Sequence, residues 1–155
     1  MSLRIATKRL SKELNEINSS GPPAGTTLLS AEDLREWRFT LSVLGTDTVY
    51  AGETFALRFR FPDNYPLESP EVVFVTNDGW TAPEHPHIYS NGHCCVSILA
   101  NEWSPVLNVC SVLLTLQSML ASCKKKERPK DNERYVKHAP ISPKDTRWHF
   151  HDDSV

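Results

Sequence analysis

No stretch of the 155-residue chain is apolar for anything near the roughly 20 residues that a membrane span requires. The stretch from Met1 to Ile17 mixes lysine, arginine and glutamate with leucine, so it lacks the apolar centre of a secretory signal. Residence in the cytosol or nucleus, with no membrane partner, is the expectation. Neither sign of charge dominates. Seventeen Lys and Arg against nineteen Asp and Glu leave a net charge of -2, which gives no reason to expect nucleic acid as the main partner. Cysteine is sparse, at positions 94, 95, 110 and 123, and no Cys-x(2–4)-Cys pair is followed by a second pair. Adjacent residues 94 and 95 are poor partners for a disulfide, so reduced thiols are expected. Internal repeats and low-complexity segments are missing as well.

What is present fits one soluble domain, with 39% hydrophobic and 23% charged residues. Leu3, Thr7, Leu10, Leu14 and Ile17 recur at helical spacing, with Lys8, Arg9, Lys12, Glu13 and Glu16 between them. The Gly21-Pro22-Pro23 stretch ends that helix. Trp37, Phe39, Leu41 and Val43 alternate with polar residues, as do Phe55, Leu57, Phe59 and Phe61. Val72 to Val75 reads as a third strand, and Thr26 to Leu29 as a weaker one. Short links between them suggest an antiparallel meander. Pro62, Pro66 and Pro70 stiffen the loop before the last strand. A long irregular stretch, 77–105, is of the kind that usually carries function. Val109, Val112, Leu113, Leu116 and Leu120 mark a nearly apolar central helix, with Lys124 to Lys126 at its C-terminal end. Strands flanked by helices argue for an α+β fold. Residues 1–132 form the expected core, and 133–155 a short, flexible tail of the same domain.

Residues 85–99 hold three His and two Cys. His85-x-His87 is a conceivable zinc chelate, but vicinal cysteines are poor co-ligands, and no metal is expected. Cysteine is also a common buried hydrophobe, a reading that suits Cys110 and Cys123. The third reading is a nucleophile, since a thiol is the least inert nucleophile at neutral pH and its thioesters pass acyl groups to amines.

In this region the sequence resembles the ubiquitin-conjugating enzymes. His85-Pro86, Asn91-Gly92, Cys95, Ile98-Leu99 and Trp103-Ser104-Pro105 follow that family's active-site signature in order. Phe61-Pro62, Tyr65-Pro66 and Pro70 match its proline loop, and Lys8 to Leu14 its first helix. The resemblance implies an N-terminal helix, a four-stranded antiparallel meander and a central helix. It implies that Cys95 receives ubiquitin from the activating enzyme as a thioester and passes it to an amine, without a cofactor. Cys94 takes the apolar slot before the nucleophile. His85, Pro86, Asn91, Ser97 and Trp103 would support the site, and His93 would be exposed. RING or U-box ligases would dock on Arg9, Lys12, Leu67, Pro105 and Val106.

Three departures from the family resemble its W-type branch. His87 stands where the family has asparagine, Ser97 where lysine-directed members are acidic, and the tail is too short and Pro-rich for the usual two further helices. The tail carries Arg147-Trp148 and His151-Asp152-Asp153. That branch is associated with transfer to the α-amino group of disordered substrate N-termini. An α-amine, with a pKa of about 7.7–8.0, is far more often free near pH 7 than a lysine at about 10.4. His87 would accept its proton or merely pack the loop, and Trp148 would receive the unfolded substrate backbone or cover the edge of the core. The alternatives are lysine-directed conjugation and a non-catalytic scaffold that binds ubiquitin or a ligase.

Overall fold

The computed structural model describes residues 2–148; the His151 to Asp153 motif lies outside them. The chain runs as α1 (Ser2–Ser20), β1 (Thr26–Asp33), β2 (Glu36–Leu41), β3 (Phe55–Arg60), β4 (Glu71–Phe74), α2 (Val109–Ala121) and α3 (Asn132–His138). Single 3-10 turns sit at Ser97–Leu99 and Pro143–Asp145. The strands lie in sequence order, each antiparallel to the next. This is the expected meander, and the α+β class holds.

Alternation sets the register. Trp37 faces Phe59, Phe39 faces Leu57 and Leu41 faces Phe55, and all six are buried. A slip of one residue would turn these side chains to solvent. The opposite face carries charges in pairs, Arg60 with Glu36 at 2.8 Å and Arg58 with Glu71 at 3.7 Å. Val109, Val112, Leu113, Leu116, Met119 and Leu120 of α2 join the same apolar cluster. Asn108 starts α2 by accepting the Ser111 amide on its side chain, while Ser111 Oγ accepts the Asn108 amide.

The buried stripe of α1 differs from the one its leucines suggest. Leu3 is half exposed and Thr7 exposed; the stripe is Ala6, Leu10, Glu13 and Ile17. Glu13 is tolerated there because its carboxylate is fully used. Oε2 accepts from the Tyr65 hydroxyl at 2.6 Å and from Arg9 Nε at 3.0 Å, and Oε1 accepts the Val109 amide at 2.9 Å. The carboxylate thus also faces the positive end of α2. Glu13→Ala strands these donors in the core, so a loss of about 3 kcal/mol is expected in urea unfolding. A loss below about 1 kcal/mol would mean that water replaces the carboxylate at little cost.

The tail, expected to be too short for two further helices, contains one. Residues 132–138 make two turns of α3, and the chain then returns to the sheet, where Lys144 Nζ reaches Glu68 and the Ser69 carbonyl.

Candidate active site

Residues 77–105 hold their shape through loop-to-backbone bonds. The Ile88 amide donates to the His85 carbonyl at 3.0 Å, and the Gly92 amide to the Tyr89 carbonyl at 2.9 Å. Asn91 Oδ1 accepts the His93 amide at 3.1 Å, fixing the turn. The turn docks on β4 where the Phe74 amide donates to the Gly92 carbonyl at 3.0 Å. Gly92 sits at φ +91°, and a Cβ there would lie 2.0 Å from the Phe74 carbonyl oxygen. Only glycine satisfies both conditions.

His85 is buried, and its Nδ1 accepts the His87 amide at 2.9 Å. Burial first, then the neighbouring His87, lower its pKa to about 4, against a weaker opposing pull from a hydrogen bond at the Met119 backbone. His85 is therefore neutral at pH 7. The hydrogen bond from the His87 amide occupies the Nδ1 lone pair of His85. The Cys95 amide donates to the His87 carbonyl at 2.9 Å, so these two residues lie side by side. Pro86, between the histidines, lines the same cleft as Cys95.

The two adjacent thiols differ in setting. Cys94 is buried in the apolar cluster, and burial raises its pKa. Cys95 is half buried and opens on the cleft. Burial, and then the negative charge of Asp131, push its thiol up to about 11. Ser97 Oγ donates to Glu102 Oε1 at 2.6 Å. Trp103 Nε1 donates to the Pro66 carbonyl at 2.9 Å, tying the loop after Cys95 to the proline loop.

That tie also gathers the residues expected to meet a ligase. Leu67 is 68% exposed and Val106 85% exposed, and both are large apolar side chains open to solvent. Pro105 and Lys12 are exposed too. Arg9 is instead partly buried and structural. Its guanidinium donates to the carbonyls of Pro105 at 2.9 Å and Leu107 at 2.8 Å, holding the second loop against α1.

Several contributors were not apparent from sequence. The cleft beside Cys95 has a volume of about 870 Å³. Its wall includes Tyr89 and Tyr135, which the sequence does not single out, beside Trp148, which it does. Tyr89 and Tyr135 stack with centroids 4.0 Å apart, and Trp148 lies 5.5 Å from Tyr135 and 6.0 Å from Tyr89. Asp131 accepts the Tyr89 hydroxyl at 2.9 Å, and Asn132 Oδ1 accepts the Ser90 amide at 2.9 Å. His93 corrects the expectation of exposure. It is buried, with Nδ1 2.8 Å from the Tyr135 hydroxyl, and burial lowers its pKa. Arg128 donates to the carbonyls of Pro83 at 2.6 Å, Ala82 at 2.9 Å and Ile88 at 3.3 Å. Nothing near residues 128–135 in sequence signals these roles. The nearest cue is the presence of two large aromatics, Tyr135 and Trp148, in a mostly polar tail.

A half-buried thiol at the head of an open cleft, beside His87 and the neutral His85, can carry an acyl group and expose it to an amine. Comparison with known proteins bears on which acyl group. Residues 9–144 match the family model described as "Ubiquitin-conjugating enzyme". The chain is 49% identical to "Ubiquitin-conjugating enzyme 15" of Arabidopsis thaliana, with 98% of this chain and 92% of that protein covered. It is 48% identical to "Ubiquitin-conjugating enzyme E2 W" of Caenorhabditis elegans, with 97% of each covered. Among solved structures, the ubiquitin-conjugating enzyme UbcA1 of Agrocybe aegerita superposes with a TM-score of 0.88 at 58% identity, covering 90% of this chain and 99% of that one.

Proposed function

Since the chain belongs to the ubiquitin-conjugating enzyme family, in its W branch, we propose that Cys95 is its nucleophile and that its acceptor is the α-amine of a disordered protein N-terminus. As a member it is a transferase working through a thioester, with ubiquitin, an activating enzyme and a ligase as partners. The observation that carries the Cys95 assignment is its setting. It opens on the cleft beside His87, while Cys94 packs in the core.

Two exchanges complete the cycle. Cys95 Sγ attacks the thioester on the activating enzyme, a new C–S bond forms, and the activating enzyme's thiol leaves. A free amine then attacks the Cys95 thioester carbonyl, the C–S bond breaks, and the amine's proton passes to a base. His87 is our candidate for that base, and His85 holds it through its amide. Ligases of the RING or U-box type dock on Lys12, Leu67, Pro105 and Val106, with Arg9 holding the loop.

Support for the α-amine acceptor is chemical and spatial. Near pH 7 roughly a tenth of α-amines are unprotonated, against well under a thousandth of lysines. The cleft leading from Cys95 past Tyr135 and Trp148 is open enough for an extended backbone. The test uses enzyme preloaded with ubiquitin and a lysine-containing disordered peptide, with its N-terminus free or acetylated. Acetylation is expected to slow transfer at least about tenfold, and His87→Ala to slow it comparably. Equal transfer to both peptides would return the acceptor to lysine.

A further inference from the structure

The cleft beside Cys95 has an uneven charge distribution. Lys124, Lys125, Arg128, Lys130 and Arg147 line it against Glu127 and Asp131, an excess of three positive charges in a chain of net charge -2. Two of the cations are committed. Arg128 holds backbone carbonyls, and Lys125 lies 3.7 Å from Glu127. Lys124, Lys130 and Arg147 are exposed and make no ion pair among the described residues. They come from three separate segments: after α2, before α3, and beside Trp148. The fold, more than a sequence run, brings them to one mouth. Lys124, with Lys125 and Lys126, was expected to serve the C-terminal end of α2, but that helix stops at Ala121 and its last turn holds no basic residue.

Asp131 has the opposite sign and a different place. It is partly buried, bonded to Tyr89, and close enough to Cys95 for its charge to act on the thiol. The cleft is thus negative near the sulfur and positive at its mouth. A peptide complementary to that pattern has an ammonium at its first residue and carboxylates on the residues behind it.

We infer that the substrate class consists of proteins whose disordered N-terminal segment is acidic, with Asp or Glu side chains read by Lys124, Lys130 and Arg147 while Asp131 faces the α-ammonium. This rests on the α-amine reading above. The three cations act as specificity residues, because they meet the segment behind the reacting nitrogen and not the thioester itself. Charges this exposed work mainly through encounter, so the selection weakens with salt.

Three lysine-free peptides of one length test it. They share the first two residues and a free α-amine, and continue with Glu and Asp, with Gln and Asn, or with Arg. Preloaded enzyme is mixed with each at low and at high salt, and single-turnover transfer is followed. The acidic peptide is expected to be modified about fivefold faster than the neutral one at low salt, and the arginine peptide slowest, with the differences shrinking at high salt. K124E/K130E/R147E should invert the order. Because each protein's rates are read as ratios between peptides, a general loss of activity cancels. Equal rates on the acidic and neutral peptides with the unaltered enzyme overturn the inference, and so does a preference that survives the triple reversal. Acetylated copies of the peptides with one terminal lysine separate the two readings. If these are modified as fast as the free peptides, the α-amine reading fails, and the acidic preference is judged on the lysine peptides alone.

Discussion

Cys95→Ala is expected to abolish the thiol-sensitive adduct formed with ubiquitin, activating enzyme and ATP, while Cys94→Ala retains it. Both residues are cysteines one position apart, so the difference is a matter of burial. Cys94 packs in the apolar cluster, and its removal leaves a small cavity worth about 1 kcal/mol. Cys95 opens on the cleft and loses the reacting atom. A non-reducing gel of the two variants decides the assignment, and an adduct on Cys95→Ala would overturn it. The pH dependence follows from the same setting. Burial and Asp131 hold the Cys95 thiol up at about 11, so the neutral form prevails at pH 7. The reactive thiolate is then roughly one molecule in ten thousand and rises tenfold per pH unit until the pKa is approached. Alkylation of Cys95 in the free enzyme, read by peptide mass, should climb with that slope from pH 7 to 9. A plateau in that range would show a thiol that is not held up.

Gly92→Ala is expected to cost about 4 kcal/mol and to lose most thioester formation in whatever protein remains folded. Two effects add. An alanine at φ +91° is strained. Its Cβ would also lie 2.0 Å from the Phe74 carbonyl oxygen, a backbone atom of β4 that cannot swing aside. Relief requires the turn to leave the strand, breaking the Phe74–Gly92 bond and moving the Asn91 turn that leads to Cys95. Gly52→Ala supplies the control. Its φ is +79° and its Cβ would meet nothing within 4 Å, so only the strain of about 1 kcal/mol applies. Urea midpoints for the two variants separate strain from clash. Equal midpoints would mean that the turn can shift without cost.

Elements with one buried face were legible from sequence. Trp37, Phe39 and Leu41 alternate because β2 has a wet side and a dry side, and residue type alone reports that. The stripe of α1 is not legible because Glu13 is buried on the strength of bonds to Tyr65 and Val109, far along the chain. Composition ranks a glutamate as exposed unless such partners are known. The burial of His93 is hidden for the same reason, since the hydroxyl that meets its Nδ1 belongs to Tyr135. The order of Pro86, Gly92, Cys95 and Trp103 was readable through the family signature. The partners that shape the cleft, Asp131, Tyr135 and Arg128, come from a polar stretch whose local pattern carries no period.

Arg128 has a consequence for anyone who would move this loop into another protein. A single guanidinium fastens the carbonyls of Ala82, Pro83 and Ile88 from at least 40 positions downstream. Carbonyls belong to every residue type, so the clasp is indifferent to which side chains the loop displays. It is not indifferent to its own identity, because a lysine offers a point charge where a planar fork is needed. The stretch 77–105 is therefore not a portable cassette. Grafted alone it would carry the signature residues and leave behind the instruction for their path, whereas a graft that includes residue 128 and its approach from α2 would transfer both.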